Sequence, residues 1–176
     1  TIKSLLIVDY ENEKANKFVF SDSANLIVSS TNGEGKSSLV KSIYYALGAN
    51  LKSFPKGWSA DNFIFQLEVF IDDNTFLIKR HNKVISVLDN KEVKLFENFA
   101  EYSLWFQEKL NMRLELVSKN SDKASLASIE ALLSPMYIDQ DKAWDGKLFK
   151  DSFESLGRYK PNDFPKNVFD YYLGIS

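Results

Sequence analysis

No cysteine occurs anywhere in the 176 residues, and there is a single histidine. Those two shortages exclude disulfides, thiolate nucleophiles, thiolate metal sites and a histidine-rich metal centre, and they fit a reducing compartment. No apolar run approaches the ~20 residues that a membrane-spanning helix needs, and the N-terminus has no charged segment leading into an apolar one. The expectation is a cytoplasmic protein that does not enter a membrane. Positive charge is not in excess either: 22 Lys and Arg stand against 24 Asp and Glu, for a net charge of −2. A domain-wide basic field for nucleic acid is therefore absent, which leaves a local patch as the remaining electrostatic route to DNA. There is no internal repeat, low-complexity tract or heptad run. What remains is 44% hydrophobic and 14% aromatic, enough to bury a sizeable core as one domain or one lobe of a larger one.

Against that background one stretch carries chemistry. Asn32-Gly33-Glu34-Gly35-Lys36-Ser37-Ser38 follows the apolar run Leu26-Ile27-Val28 and precedes an amphipathic helical pattern from Ser37 to Leu47. Successive N–H groups of such a loop form an anion-binding nest, and the helix that follows adds the positive end of its dipole. Gly33 and Gly35 supply backbone conformations that a Cβ disfavours. In the full pattern, G-x-x-x-x-G-K-[ST], Lys36 reaches the β- and γ-phosphates and the Ser37 hydroxyl binds Mg²⁺. Counting back from Gly35 places Ser30 where the first glycine belongs, a small residue at a position that shapes the turn more than it holds phosphate. The candidate ATP-binding set is Ser30, Thr31, Asn32, Gly33, Glu34, Gly35, Lys36, Ser37 and Ser38.

The rest of the chain sets this loop in an α/β context. Residues 2–10 and 17–20 read as strands around the polar turn 11–16, and 26–29 as a buried strand feeding the loop. Leu39, Ile43 and Leu47 give the first helix an apolar face, with Gly48 placed to end it. Residues 49–62 read as a loop. From Phe63 the period changes to two: Phe63, Phe65, Leu67, Val69 and Ile71 share a face. Short polar turns then join strands 75–79, 84–88 and 93–96, which implies an antiparallel meander. Ile71-Asp72-Asp73 ends in one of those turns. The lone His81 falls in another, as a solvated loop residue. Helical spacing returns over 97–111, and 114–117 reads as a short strand. Residues 118–124 read as polar loop, 125–133 as a helix stopped by Pro135, and 136–138 as a buried strand leading to Gln140. Residues 142–161 mix charges with isolated aromatics. A last helix starts near Pro165 and ends at Gly174. Trp58, Trp105 and Trp144 read as packing residues. Lys79 and Arg80 read as charged turn residues, with DNA phosphate contact as the alternative.

Strand, phosphate loop, helix, meander, helical part and a strand ending in Gln together resemble the N-terminal half of the ATPase head in the SMC and SbcC/RecN group of ABC-type ATPases. In that group the loop usually reads G-x-N-G-x-G-K-[ST], which Thr31 to Ser37 matches from its second position, and the first strand resembles Ile2-Lys3-Ser4-Leu5. The resemblance implies an ABC-type P-loop NTPase fold with a β-meander subdomain. It also implies ATP and Mg²⁺ as cofactors, and a glutamine, matched here by Gln140, that helps bind Mg²⁺ and orients the attacking water. A neutral amide suits that task because it accepts from water and donates to phosphate without titrating near neutral pH. Some heads of the group carry a basic residue in the loop after the first helix, and Lys56 occupies that place.

The group's acidic strand end and Ser-Gly-Gly signature do not occur in this sequence. The resemblance therefore implies one lobe, 1–176, whose last segment, 142–176, leads toward a coiled coil. It implies a C-terminal lobe, a second head in a homodimer, double-stranded DNA, and a nuclease or accessory subunit as partners. The resulting expectation is ATP-driven head engagement in DNA repair, chromosome handling or anti-phage defence, with a cytoplasmic, nucleoid-associated location. Two other readings stay open at this stage: a transporter ATPase subunit, and a nucleotide-sensing module that does not hydrolyse ATP.

Overall fold

The computed structural model describes residues 1–30, 35–54, 56–138 and 153–175. The chain forms two compact units, Thr1–Gly48 with Ser53–Asn98, and Ala49–Lys52 with Phe99–Ser176.

The first unit is built on one antiparallel sheet of six strands: β1 (Ile2–Asp9), β2 (Lys14–Val19), β3 (Phe63–Ile71), β4 (Asn74–His81), β5 (Val84–Asp89) and β6 (Glu92–Phe96), in the order β2-β1-β3-β4-β5-β6. The meander anticipated from the sequence is thus continuous with the N-terminal hairpin through the pairing of Leu5 with Leu67 and Ile7 with Phe65. Its turns are short because their residues accept left-handed backbone: Asp72 and Asp73 (φ 45° and 62°), Asn82 (53°) and Asn90 (57°), the residue types that tolerate this region best after glycine. Alternation decides the faces. Leu5, Phe65, Leu67, Phe76, Ile78, Ile85 and Val87 are buried, while the residues between them point to the opposite face of the sheet. β2 begins three residues earlier than its apolar pattern suggested. It is an edge strand with exposed Lys14, Asn16 and Lys17, so its pairing with β1 leaves no period-two signal, and its lysines discourage further strand addition.

Helix α1 (Lys36–Ala46) packs on β3 and β4. Its deepest residues are Ser42, Tyr45 and Ala46, whereas Leu39 and Ile43 of the expected stripe are half-buried. Gly48, at φ 106°, donates to the Tyr45 carbonyl at 3.0 Å and closes the helix. The expected strand over 26–29 is not formed: residues 24–29 carry no strand pairing, and Leu26 and Val28 are 87% and 74% exposed. An apolar run becomes a strand only when a neighbouring strand satisfies its backbone, and none of the described residues does so here.

The second unit holds α2 (Phe99–Lys109), the two-stranded ribbon β7 (Glu115–Val117) and β8 (Ala124–Leu126), the short α3 (Ile129–Leu133) and α4 (Phe164–Leu173). The expected helix over 125–133 is shorter. Its first residues pair as β8, and the Ser128 hydroxyl then caps α3 by accepting from the Ala131 N–H. The expected strand over 136–138 is absent as well, because Ser134–Met136 closes as a 3-10 turn with Pro135 near its start. Buried Gln107 ties the unit together: its Nε2 donates to the Ala127 carbonyl at 3.0 Å and its Oε1 accepts from the Leu114 N–H at 2.8 Å. Trp105 is buried beside Tyr102, and α4 ends at Gly174, φ 66°, as its sequence indicated.

Tyr172 gives this unit an alkaline signature. Its hydroxyl donates to the Leu132 carbonyl at 2.6 Å, and burial, followed by the neighbouring Tyr171, pushes its ionisation up to about 12. An unfolded tyrosine ionises near about 10. The stability it contributes is therefore complete below pH ~10 and is lost as pH rises through about 12, because the unfolded chain releases a proton that the folded chain keeps. Thermal melts between pH 9 and 12 are expected to fall in this window, and Tyr172→Phe should flatten the fall. An unchanged profile in that variant would assign the alkaline limit elsewhere.

Candidate phosphate-binding site

The site is built at the start of α1. Gly35 is the residue preceding the helix and lies in the left-handed region, at φ 87° and ψ 10°. An added Cβ would meet no atom within 4 Å, so the requirement for glycine here is one of backbone conformation and not of space. The Gly35 carbonyl accepts the first helical bond, from the Leu39 N–H at 2.9 Å. Among the described residues no side chain caps this end, and the first turn contains no acidic residue. The opening N–H groups and the positive end of the helix dipole therefore meet no side-chain anion from the helix itself.

Lys36 and Ser37 occupy that first turn. The Lys36 ammonium is half-buried and donates to the Ser29 hydroxyl on the segment preceding the loop. A hydroxyl is a neutral acceptor, a weaker partner for an ammonium than an anionic phosphate oxygen. Ser37 is exposed, and Ser38 fixes the helix by its carbonyl, which accepts from the buried Ser42 hydroxyl at 2.7 Å. Lys36 and Ser29 are thus brought together, and Gly35, Ser37 and Ser38 flank the lysine at the start of α1. Thr31, Asn32, Gly33 and Glu34 lie outside the described residues, as do Gln140 and Trp144. Lys56 is exposed beside Gly57, φ 83°.

Arg80 corrects the sequence reading. It is no turn or DNA-facing residue but 1% exposed. Its guanidinium lies 3.6 Å from the Tyr45 ring centroid. Its Nη1 donates to the Tyr45 carbonyl at 2.8 Å and its Nε to the Asn82 carbonyl at 3.0 Å. The Tyr45 hydroxyl donates to the same Asn82 carbonyl at 3.2 Å. A cation therefore sits at the C-terminal end of α1, where the helix dipole favours it and where the helix has no basic residue of its own. The signal was present in the sequence: Arg80 shares its parity in β4 with buried Phe76 and Ile78. His81 is exposed, as expected. Its Nε2 pairs with the Asp61 carbonyl at 3.0 Å and its ring meets Tyr10 edge-on.

Among the described residues no group of acidic or histidine side chains is arranged to hold a metal ion, and no helix is long and apolar enough to cross a membrane. No family model matches the chain. It is similar to Lamassu protein LmuB of a Bacillus species (strain NIO-1130), 39% identical over 166 residues that make up 93% of this chain and 29% of that protein. It is also similar to Lamassu protein LmuB of Bacillus cereus (strain VD014), 32% identical over 176 residues, 99% of this chain and 30% of that protein. The chain therefore spans under a third of the length of these relatives.

Proposed function

We propose that this chain is the ATP-binding N-terminal lobe of an SMC/SbcC-like ATPase head that works in anti-phage defence. The reading rests above all on the opening of α1, where a left-handed glycine leads into a helix that begins with a lysine and a serine and has no side-chain cap among the described residues. That is the chemistry a nucleotide's phosphates require. Similarity to the Lamassu LmuB proteins supports the defence role, and the short span of those proteins that it covers supports a second lobe. Exposed Leu26 and Val28, one strand's length ahead of the loop, are what a strand awaiting neighbours from that lobe would present.

In this mechanism bound Mg²⁺ and ATP supply the electrophilic phosphorus and the metal charge that stabilises the leaving group. The chain's residues do the positioning. Backbone N–H groups after Gly35 bind phosphate oxygens, Lys36 exchanges the Ser29 hydroxyl for a phosphate oxygen, and the Ser37 hydroxyl serves as a metal ligand. Gln140 orients water for in-line attack, and Lys56 adds charge at the rim. A second head completes the site across a homodimer, so that nucleotide joins the heads and hydrolysis releases them, moving arms that engage double-stranded DNA and an accessory subunit.

Turnover by the full-length protein, with and without DNA, tests this. ATP hydrolysis is expected, and Gln140→Ala should slow it about tenfold or more while changing nucleotide affinity little. Equal turnover in the variant would remove Gln140 from the mechanism. Saturable binding without any turnover would favour the nucleotide-sensing module, a reading consistent with the lack of an acidic strand end in this chain.

A further inference from the structure

The six-stranded sheet ends at β6, whose residues from Glu92 to Leu95 are exposed. β6 leaves β5 through the turn Asn90-Lys91, with Asp89 paired to Glu92. In a hairpin this tight the pair flanking the turn exchanges backbone hydrogen bonds, and alternate residues turn N–H and C=O the other way. Glu92, Lys94 and Phe96 therefore bond toward β5, while Val93 and Leu95 present their backbone groups at the edge. The side chains of Val93 and Leu95 are 70% and 58% exposed, on the face of the sheet opposite buried Val87 and Phe96. An edge of this kind accepts another strand.

The sequence of β6 selects that strand. Laid antiparallel against itself with Val93 at the centre, β6 sets Val93 opposite Val93 and, on either side, Glu92 opposite Lys94 of the second copy. The two valines then exchange N–H···O=C bonds, because both point them outward. Opposite charges at directly facing positions stabilise a sheet, and like charges destabilise it. Within one chain Glu92 already faces Asp89, acid against acid, so a lysine on its other side offsets an existing repulsion. On the opposite face Leu77 pairs with Leu88 and Leu88 with Val93. The second copy continues this apolar row through its own Val93, Leu88 and Leu77. The register centred on Lys94 sets lysine against lysine and Glu92 against Phe96, which forfeits both ion pairs. At the other edge β2 carries Lys14 and Lys17 and no acid, so no register of β2 on itself matches charge.

We propose that two copies of this chain join through β6, antiparallel and centred on Val93, so that their sheets run on as one. The contact is two-fold and closes on itself, which gives a dimer and not a filament. It uses neither the phosphate loop nor nucleotide, and it is distinct from nucleotide-driven engagement of two heads.

The test uses the full-length protein without nucleotide and carrying Lys36→Ala, so its outcome is separate from that of the phosphate-loop reading. This chain has no cysteine, and Val93→Cys places a thiol at the centre of the contact. Facing Cα atoms of a hydrogen-bonded pair lie about 5.5 Å apart, within disulfide range. Mild oxidation is expected to give a disulfide-linked dimer whose linked peptide maps to residue 93. Leu95→Cys should not link, since its counterpart lies four strand positions away, roughly 13 Å. Adding Glu92→Lys or Lys94→Glu to Val93→Cys should slow linking about tenfold or more, because each sets like charges face to face at both pairs. An equimolar mixture of those two variants should recover it, as the lysines of one copy then face the glutamates of the other. Absence of linkage at residue 93 in folded protein would overturn the proposal, including the case in which another segment of the full-length protein covers β6. Linkage through Lys94→Cys, or linkage indifferent to charge reversal and mixing, would overturn it too.

Discussion

Lys36→Ala is expected to weaken Mg·ATP binding by the full-length protein about a hundredfold or more, equivalent to ~3 kcal/mol. The side chain is half-buried at the first residue of α1 and bonded to the Ser29 hydroxyl, so the variant gives up an ammonium held at the mouth of the proposed phosphate nest. A charged hydrogen bond to phosphate cannot be replaced by water at the same geometry, and truncating one partner leaves the other charge unmatched. Without nucleotide the same variant should change stability by no more than about 0.5 kcal/mol, because the side chain is only half-buried at a helix end. The contrast matters: a binding loss with an unchanged melt assigns the lysine to the ligand and not to the fold. An unchanged nucleotide affinity would mean that the loop does not hold phosphate.

Arg80→Met is expected to cost about 3 kcal/mol of stability in chemical denaturation. Methionine keeps much of the length and the apolar stem but removes the donations from Arg80 to the Tyr45 and Asn82 carbonyls, which keep the Gly48 N–H and the Tyr45 hydroxyl, and takes the cation off the Tyr45 ring. Replacing a buried cation with an apolar side chain also relieves a desolvation cost. The lost hydrogen bonds and ring contact decide the balance, since they belong to a side chain that is 1% exposed. Arg80→Lys should recover part of the loss, as an ammonium reaches one carbonyl but cannot lie flat on the ring while bridging to the second. Tyr45→Phe removes only the bond to Asn82 and should cost about 1 kcal/mol. A loss below about 0.5 kcal/mol in Arg80→Met would contradict the view that this cluster fastens the end of α1 to the β4–β5 turn.

The sheet was legible because a buried face imposes a period of two. Phe63, Phe65, Leu67 and Val69 alternate without interruption, and all four are buried. The turns were legible because Asp72-Asp73, Asn82 and Asn90 are the residues such backbone tolerates. Legibility failed where no such constraint acts. β2 has no buried face to write into its sequence. The 125–133 segment carries apolar residues that serve a ribbon first and a helix afterwards, and only the Ser128 cap separates the two. Leu26–Val28 has a strand's composition but no partner strand among the described residues. Arg80 was hidden by its charge, although its parity placed it inside. Glu130 was hidden in the same way among Ile129, Ala131, Leu132 and Leu133, all buried. At the site itself the motif was readable from the pattern. The left-handed conformation of Gly35 and the bond from Lys36 to Ser29 are properties of the fold.

The most direct test of the phosphate-loop reading is a calorimetric titration of Mg·ATP into the full-length protein, with Lys36→Ala in parallel. Saturable binding at about one nucleotide per chain, lost in the variant, is the predicted result. No binding heat at millimolar ATP, or equal binding by the two proteins, would contradict it.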